Sequence, residues 1–316
     1  MKKVTKKEVY ELLKNSRRLV LTMHVNPDGD AFGSTLGLAH SLMAMGKEVQ
    51  IVLDDKRIPP KFAFLKGYEK IRLAAEGETI DADLLVSLDA STKDRIGRLP
   101  QIVKAPVLNI DHHVSNTEYA DYLYLEPNYA ATGEIIAELL LDMEMLLDKD
   151  TADCLYLAMA TDTGFFKFAN TTEHTLTMAA RMIGRGARPN FVSESFEMRS
   201  EAELNALKSV LETLDYHYDG KVCGLSVPKD VMEQEGISTD GFVDYPRSLC
   251  GVEVAYLLKY VDQEVTRVSL RSKNINVIPI AETFGGGGHM RASGCTIQAG
   301  LEEAKQKLLE AMKGKI

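Results

Sequence analysis

Between Arg18 and Leu53 the chain reads as strand, turn, helix and strand, and that opening restricts the fold more than any other stretch. RLVLTMH, residues 18–24, is an apolar run of the length and make-up of a buried strand. It breaks at VNPDGD, where Pro27 and Gly29 force a turn. A helix is expected from Gly33 to Met45, stopped at Gly46, and Glu48 to Leu53 forms the next strand. A strand followed by a helix and a parallel strand is the unit of a doubly wound sheet. Ahead of it, Thr5-Lys6-Lys7-Glu8 has the form of a capping box opening an amphipathic helix to about Ser16.

Further strands are expected at Asp83 to Leu88 and Pro106 to Ile110, both ending in carboxylates, Asp89 and Asp111. Helices follow over Thr132 to Leu147, Asp150 to Ala160 and Thr172 to Ile183, and Gly184 to Pro189 marks a break. The charged segment from Ser193 to about Leu214 reads as one helix joining two domains. A second α/β unit then begins with strands at Lys221 to Val227, Val252 to Tyr260 and Glu264 to Leu270. It ends in a glycine run and an amphipathic helix over Leu301 to Met312. The expected fold is α/β. An N-terminal doubly wound, mainly parallel sheet occupies residues 1–190, a helical linker 191–216, and a smaller C-terminal α/β domain 217–316.

Several of the apolar runs end in acids or histidines. These are His24 with Asp28 and Asp30, then Asp89, then Asp111-His112-His113, and Asp162 in ATDTGFF. If each closes a strand, a parallel sheet carries them to one edge, where open α/β sheets bind ligands. Singly, each has an ordinary explanation. NPDGD is a common turn, Asp89 suits a helix cap, and Asp162 suits the turn at Thr163-Gly164. NPDGD also resembles a calcium loop, but no glutamate follows at the spacing such a loop needs. Together they are a crowd of carboxylates that repel unless cations neutralise them. Imidazole and carboxylate without thiolate suit Mn²⁺, Fe²⁺ or Co²⁺ better than structural zinc. The four cysteines are widely spaced with no CxxC pair, which argues against both a zinc knuckle and a disulfide framework.

The motifs HVNPDGD, VSLDAS, NIDHHVSN and ATDTG, in that order, resemble those of the DHH phosphoesterase superfamily. GGGGHMRASG resembles the glycine-rich motif of its DHHA1 domain. Within that superfamily the compact two-domain arrangement is similar to bacterial oligoribonucleases (nanoRNases), many of which also act on 3′-phosphoadenosine 5′-phosphate (pAp). The resemblance implies two divalent ions, most naturally Mn²⁺. His24, Asp28 and Asp89 would hold one, and Asp30, Asp89, His112 and Asp162 the other, with Asp89 shared. Such paired ions sit about 3.5–4 Å apart and activate a water between them. His113 is then left to face the phosphoryl group, with Asp111 orienting a histidine and Asn116 steadying the loop.

For the second domain the resemblance implies a phosphate clamp made of Arg271, the backbone of Gly286, Gly287 and Gly288, His289 and, less centrally, Ser293. Without it, the glycine run reads as a hinge and Arg271 as an exposed strand-end charge. Phe165, Phe166 and Phe168 read as core packing rather than a stacking face. The implied reaction is hydrolysis of short single-stranded RNA and of pAp, with the substrate in a cleft between the two domains.

A net charge of −9 disfavours a binder of long duplex nucleic acid. No apolar run is long enough to span a bilayer, and the N-terminus lacks a signal peptide's apolar core, so the cytosol is the expected compartment. A homodimer stays open. The competing readings are a phosphodiesterase for linear or cyclic dinucleotides and, further off, an inorganic pyrophosphatase or a RecJ-like exonuclease. A degenerate DHH scaffold that binds nucleotides without cutting them would be expected to have lost ligands, and here all the matched acids and histidines are present.

Overall fold

The computed structural model describes residues 1–234 and 237–316, which divide into two compact units, Met1–Met198 and Arg199–Ile316. The first is built on a seven-stranded sheet in which every neighbouring pair is parallel. Its strands run in the spatial order Lys2–Lys3, Tyr122–Leu125, Val107–Asp111, Leu84–Leu88, Arg18–Met23, Glu48–Leu53 and Ile71–Leu73. From Arg18–Met23 the chain first winds one way, through Glu48–Leu53 to Ile71–Leu73. It then returns to place Leu84–Leu88 on the other side of the starting strand. The reversal lies between Arg18–Met23 and Leu84–Leu88, and their carboxyl ends are where such sheets open a crevice.

The central strands are largely apolar because both faces of the sheet are covered there. Leu19, Leu21, Met23, Leu84, Val86 and Leu88 belong to one core with the long helices, while Val20, Val52 and Leu85 belong to another on the opposite side. On the first side, helices Gly29–Ala44, Thr132–Asp142 and Lys149–Asp162 pack closely through glycine. A Cβ added at Gly33 would lie 2.2 Å from the Cys154 carbonyl oxygen, and one at Gly133 2.2 Å from the Ala158 Cβ. No side chain fits at either position, so these helices approach at backbone distance.

Most expected elements are present, with instructive shifts. The helix expected from Gly33 begins at Gly29, because Asp28 caps it by accepting from the Ala31 N–H. Asp28 and Asp30 are therefore helix-start residues rather than members of a free turn. Asp162 does not end a strand. It is the last residue of helix Lys149–Asp162, which arrives at the same edge of the sheet from above. The helix from Thr132 ends at Asp142, short of the expected Leu147, and Glu144 follows in the left-handed region at φ 50°. The single helix expected over Ser193 to Leu214 is two, Pro189–Glu197 and Glu201–Leu211, because Ser200 and Glu203 form a capping box that starts the second one afresh.

The second unit carries a six-stranded sheet in the order Asp215–His217, Val222–Val227, Val254–Tyr260, Thr266–Ser272, Ala292–Ile297 and Gly287–His289. Only Val222–Val227 and Val254–Tyr260 pair in parallel. Helix Leu301–Met312 covers one face with Ala304, Leu308 and Met312, and helix Glu201–Leu211 covers part of the other. Part of the glycine run is not a hinge but the edge strand Gly287–His289.

Candidate active site

His24 and Asp89 follow the two strands that flank the reversal, and they meet there. His24 Nε2 lies 3.4 Å from Asp89 Oδ2 and 3.7 Å from Asp28 Oδ1. The DHH stretch comes from the next strand over, and His112 Nε2 lies 3.3 Å from Asp162 Oδ2, 3.6 Å from Asp89 Oδ1 and 3.8 Å from Asp30 Oδ2. Asp89 thus presents one oxygen to each histidine. The first unit brings together His24, Asp28 and Asp89 as one group with metal-ligand spacing, and Asp30, His112 and Asp162 as another.

The ring nitrogens divide the histidines into two kinds. His24 Nδ1 is 2.9 Å from the Val25 carbonyl and His112 Nδ1 is 3.1 Å from the Tyr129 carbonyl. A carbonyl oxygen only accepts, so Nδ1 carries the proton in both rings and Nε2 is left to face the acids. His113 is turned the other way. Its Nδ1 lies 2.7 Å from Asp111 Oδ1, so Asp111 holds it through the nitrogen that the other two give to carbonyls. Asp111 also accepts from the backbone N–H groups of His112 and His113 and from the Asn116 side-chain amide. The Asn116 amide also reaches Asn109 Oδ1, and Asn109 is itself bonded to the Ser87 and Ala90 carbonyls. Asp111 is fully buried and every contact orients something else.

The donor set behaves as one built around cations. Burial, reinforced by the charges of Asp89 and Asp162, pushes the Asp30 carboxyl well above the usual range. Burial likewise raises Asp162 against the bond to His112, with the charges of Asp28 and Asp89 acting in the same upward sense. Burial alone would depress the His24 imidazole, yet its bonds to Asp28 and Asp89 hold it up at about 10. His112 is driven up in the same sense by Asp162, Asp89 and Asp30 against its own desolvation. Protons are thus drawn into the cluster to offset packed negative charge. Divalent cations do the same without neutralising the ligands. No thiolate is present in these groups, and the residues fit hard or borderline divalent ions.

Three contributors escaped the sequence. The Thr132 and Gly133 backbone N–H groups donate to the two oxygens of Asp30, at 2.6 and 2.8 Å. They start helix Thr132–Asp142, so its positive end faces this acid. The Thr132 hydroxyl donates to Asp89 Oδ1 at 3.0 Å. Asp89 itself sits at φ 56°, a left-handed conformation that Asp and Asn tolerate better than most residues. Only the ATG before an apolar run hints at any of this, and it says nothing about which acid the helix will meet.

In the second unit Arg271 pairs across the ladder with Ala292, and Ala292 with His289, so these three share one face. Gly286 and Gly288 are required: a Cβ at Gly286 would lie 2.2 Å from the Gly294 carbonyl, and Gly288 has φ 140°. A Cβ at Gly287 would meet nothing within 4 Å, so its backbone lies open. Ser293 is not brought to the Arg271 face. It pairs with Leu270 on the buried face, is 4% exposed, and donates to the His289 carbonyl at 2.9 Å. Phe165 and Phe166 pack against the core of the first unit.

Comparison with known proteins agrees across the chain. The DHH family N-terminal domain matches residues 18–159 and the DHHA1 domain residues 219–316. The bifunctional oligoribonuclease and PAP phosphatase NrnA of Thermus thermophilus is 33% identical over 298 residues, which cover 93% of this chain and 89% of that protein. The NrnA of Bacillus subtilis is 28% identical over 288 residues, covering 88% and 89%. An exopolyphosphatase-related protein from Bacteroides fragilis has the same fold, with a TM-score of 0.86 at 26% identity over 98% of this chain and 95% of its own. No helix among the described residues is long and apolar enough to cross a membrane.

Proposed function

This chain belongs to the DHH family, with a DHHA1 domain as its second part, and on that footing we propose that it is a phosphoesterase for short nucleotides. It hydrolyses short RNA oligonucleotides to mononucleotides and pAp to AMP, the two activities named for its Thermus and Bacillus relatives. The observation that carries this reading is the single carboxylate, Asp89, set between two histidines that each face further acids. Six residues would hold two divalent ions, Mn²⁺ being the best match to the donors: His24, Asp28 and Asp89 for one, Asp30, His112 and Asp162 for the other, with Asp89 able to serve both. Bound there, such ions supply Lewis acidity and make hydroxide available near neutral pH.

The chain's own residues do the rest. Asp111 fixes His113 through Nδ1 and so orients the ring for Nε2 to meet charge on the phosphoryl group or to protonate the leaving oxygen. Asn116 and Asn109 hold Asp111 in place. Residues 217–316 supply recognition. Arg271 and His289 grip a terminal phosphate, the backbone around Gly287 approaches it, Gly286 and Gly288 permit that strand, and Ser293 steadies the His289 carbonyl. Recognition of one substrate end limits the enzyme to short substrates, in keeping with the acidic net charge.

The test is a Mn²⁺-supplemented panel of pAp, single-stranded RNAs of increasing length and a cyclic dinucleotide. Turnover should fall steeply beyond a few nucleotides. Degradation of long structured RNA at the rate of a dinucleotide contradicts the short-substrate reading, and preference for the cyclic dinucleotide moves the assignment to a dinucleotide phosphodiesterase. Asp89→Asn, which keeps the left-handed backbone, should abolish all of these activities. Arg271→Ala should weaken substrate binding with metal content unchanged.

A further inference from the structure

Glu134 is fully buried, and a carboxylate taken out of water is destabilising unless its oxygens are satisfied. It is satisfied on both sides. Oε2 accepts from the Ala130 N–H at 2.8 Å, Oε1 accepts from His174 Nδ1 at 2.5 Å, and the Thr175 hydroxyl lies 3.1 Å from Oε2. As an acid in the first turn of helix Thr132–Asp142 it could be no more than a cap. The position of the N–H it takes argues for more. Ala130 N–H and Tyr129 C=O are the two ends of one peptide group, and that carbonyl is the acceptor of His112 Nδ1 at 3.1 Å.

We propose that Glu134 is a positioning residue for the metal centre, acting on His112 through the Tyr129–Ala130 peptide. The inference rests on the reading of His112 as a metal ligand. Metal-bound histidines commonly give their other N–H to a carboxylate, which fixes the tautomer and raises ligand basicity. Here a rigid, planar peptide is inserted between the two. The carboxylate draws on the N–H, the polarised carbonyl becomes a better acceptor, and the bonds in the chain strengthen one another. Nδ1 then keeps its proton and Nε2 stays directed at Asp30, Asp89 and Asp162. The peptide is also held from its side chain. The Tyr129 ring lies 4.9 Å from the His174 ring, and its hydroxyl donates to Glu138. His24 rests on a different peptide: its Nδ1 meets the Val25 carbonyl, and the N–H at the other end of that peptide, on Asn26, donates to Asp55 Oδ2 at 2.6 Å, so Glu134 acts on His112 alone.

Because the two histidines rest on separate peptides backed by separate acids, the proposal is testable by metal binding without turnover. Glu134→Gln should weaken one class of ion about 10–100-fold in a two-site calorimetric titration with Mn²⁺, the range for loss of an outer partner, and leave the other class unchanged. A role confined to stability predicts lower thermal stability with both affinities intact, or both falling together, and either result overturns the proposal. His112→Ala separates this from the underlying assignment. If His112→Ala still binds two ions at wild-type affinity, the ligand assignment has failed; if it loses one class while Glu134→Gln binds as wild type, only the relay has. Should Glu134→Gln not fold, the wild-type protein answers by NMR. Loading with diamagnetic Zn²⁺ should move the Ala130 amide proton downfield as the His112 Nδ1–H bond strengthens, and an amide indifferent to the ion overturns the relay.

Discussion

Replacing Thr132 with valine isolates one bond in the candidate metal centre. The two side chains have nearly the same shape, and Thr132 is fully buried, so the substitution leaves no cavity and exposes nothing. What it removes is the hydroxyl that donates to Asp89 Oδ1 at 3.0 Å. The Thr132 backbone N–H, 2.6 Å from Asp30 Oδ2, is untouched, so the helix end stays in register with the other acid. A hydrogen bond to a charged group contributes about 1.5–3 kcal/mol. If that stabilisation serves the orientation of Asp89 for its ions, its loss corresponds to roughly 10–150-fold, at about 1.4 kcal/mol per factor of ten. Outer partners of metal ligands give a similar range, about 10–100-fold. Mn²⁺ affinity by calorimetry and turnover of pAp at sub-saturating metal should together show a loss of that size. Wild-type affinity and turnover in Thr132→Val would refute the reasoning, because Asp89 would then need no help from the helix start.

Other outcomes follow from the same geometry. His112→Ala should deplete one ion, whereas His113→Ala should keep both and lose turnover, since only His113 gives its Nδ1 to Asp111; metal analysis beside a rate assay distinguishes them. Gly33→Ala forces a Cβ to within 2.2 Å of the Cys154 carbonyl, a backbone atom, so helices must part; overpacking costs about 1–3 kcal/mol and should appear as a lowered melting temperature. Ion affinity should rise with pH. His24 is held up at about 10 in the metal-free protein, so at neutral pH an entering ion displaces its proton, and that cost shrinks as pH climbs towards that value. Calorimetry in buffers of different ionisation enthalpy should register the proton release at neutral pH and its decline in alkali.

The sequence by itself determined the elements whose signals lie within a few residues. The Thr5–Glu8 capping box, the strand at Arg18–Met23 and the helix Leu301–Met312 were legible because propensity, capping and apolar patterning act over that range. It also determined the chemistry of the site, since acids and histidines without thiolates restrict the ions whatever the geometry. The second capping box, at Ser200 and Glu203, was equally local and was obscured by the charged run around it.

Only the tertiary structure decided how those groups are used. Asp162 reaches the site from the end of a helix: the helix expected to stop at Ala160 runs on to Asp162, which the apolar pattern groups with the strand ends. Thr132 comes into play 43 residues after Asp89 and 102 after Asp30, and Gly133 103 after Asp30, once the strand order has carried a helix start to the sheet edge. The two adjacent histidines are alike in sequence, and what separates them is a carbonyl 17 residues downstream, at Tyr129. Which ring nitrogen faces the acids depends on what the other one touches, and that partner is supplied by the fold rather than by the neighbours of His112 in the chain.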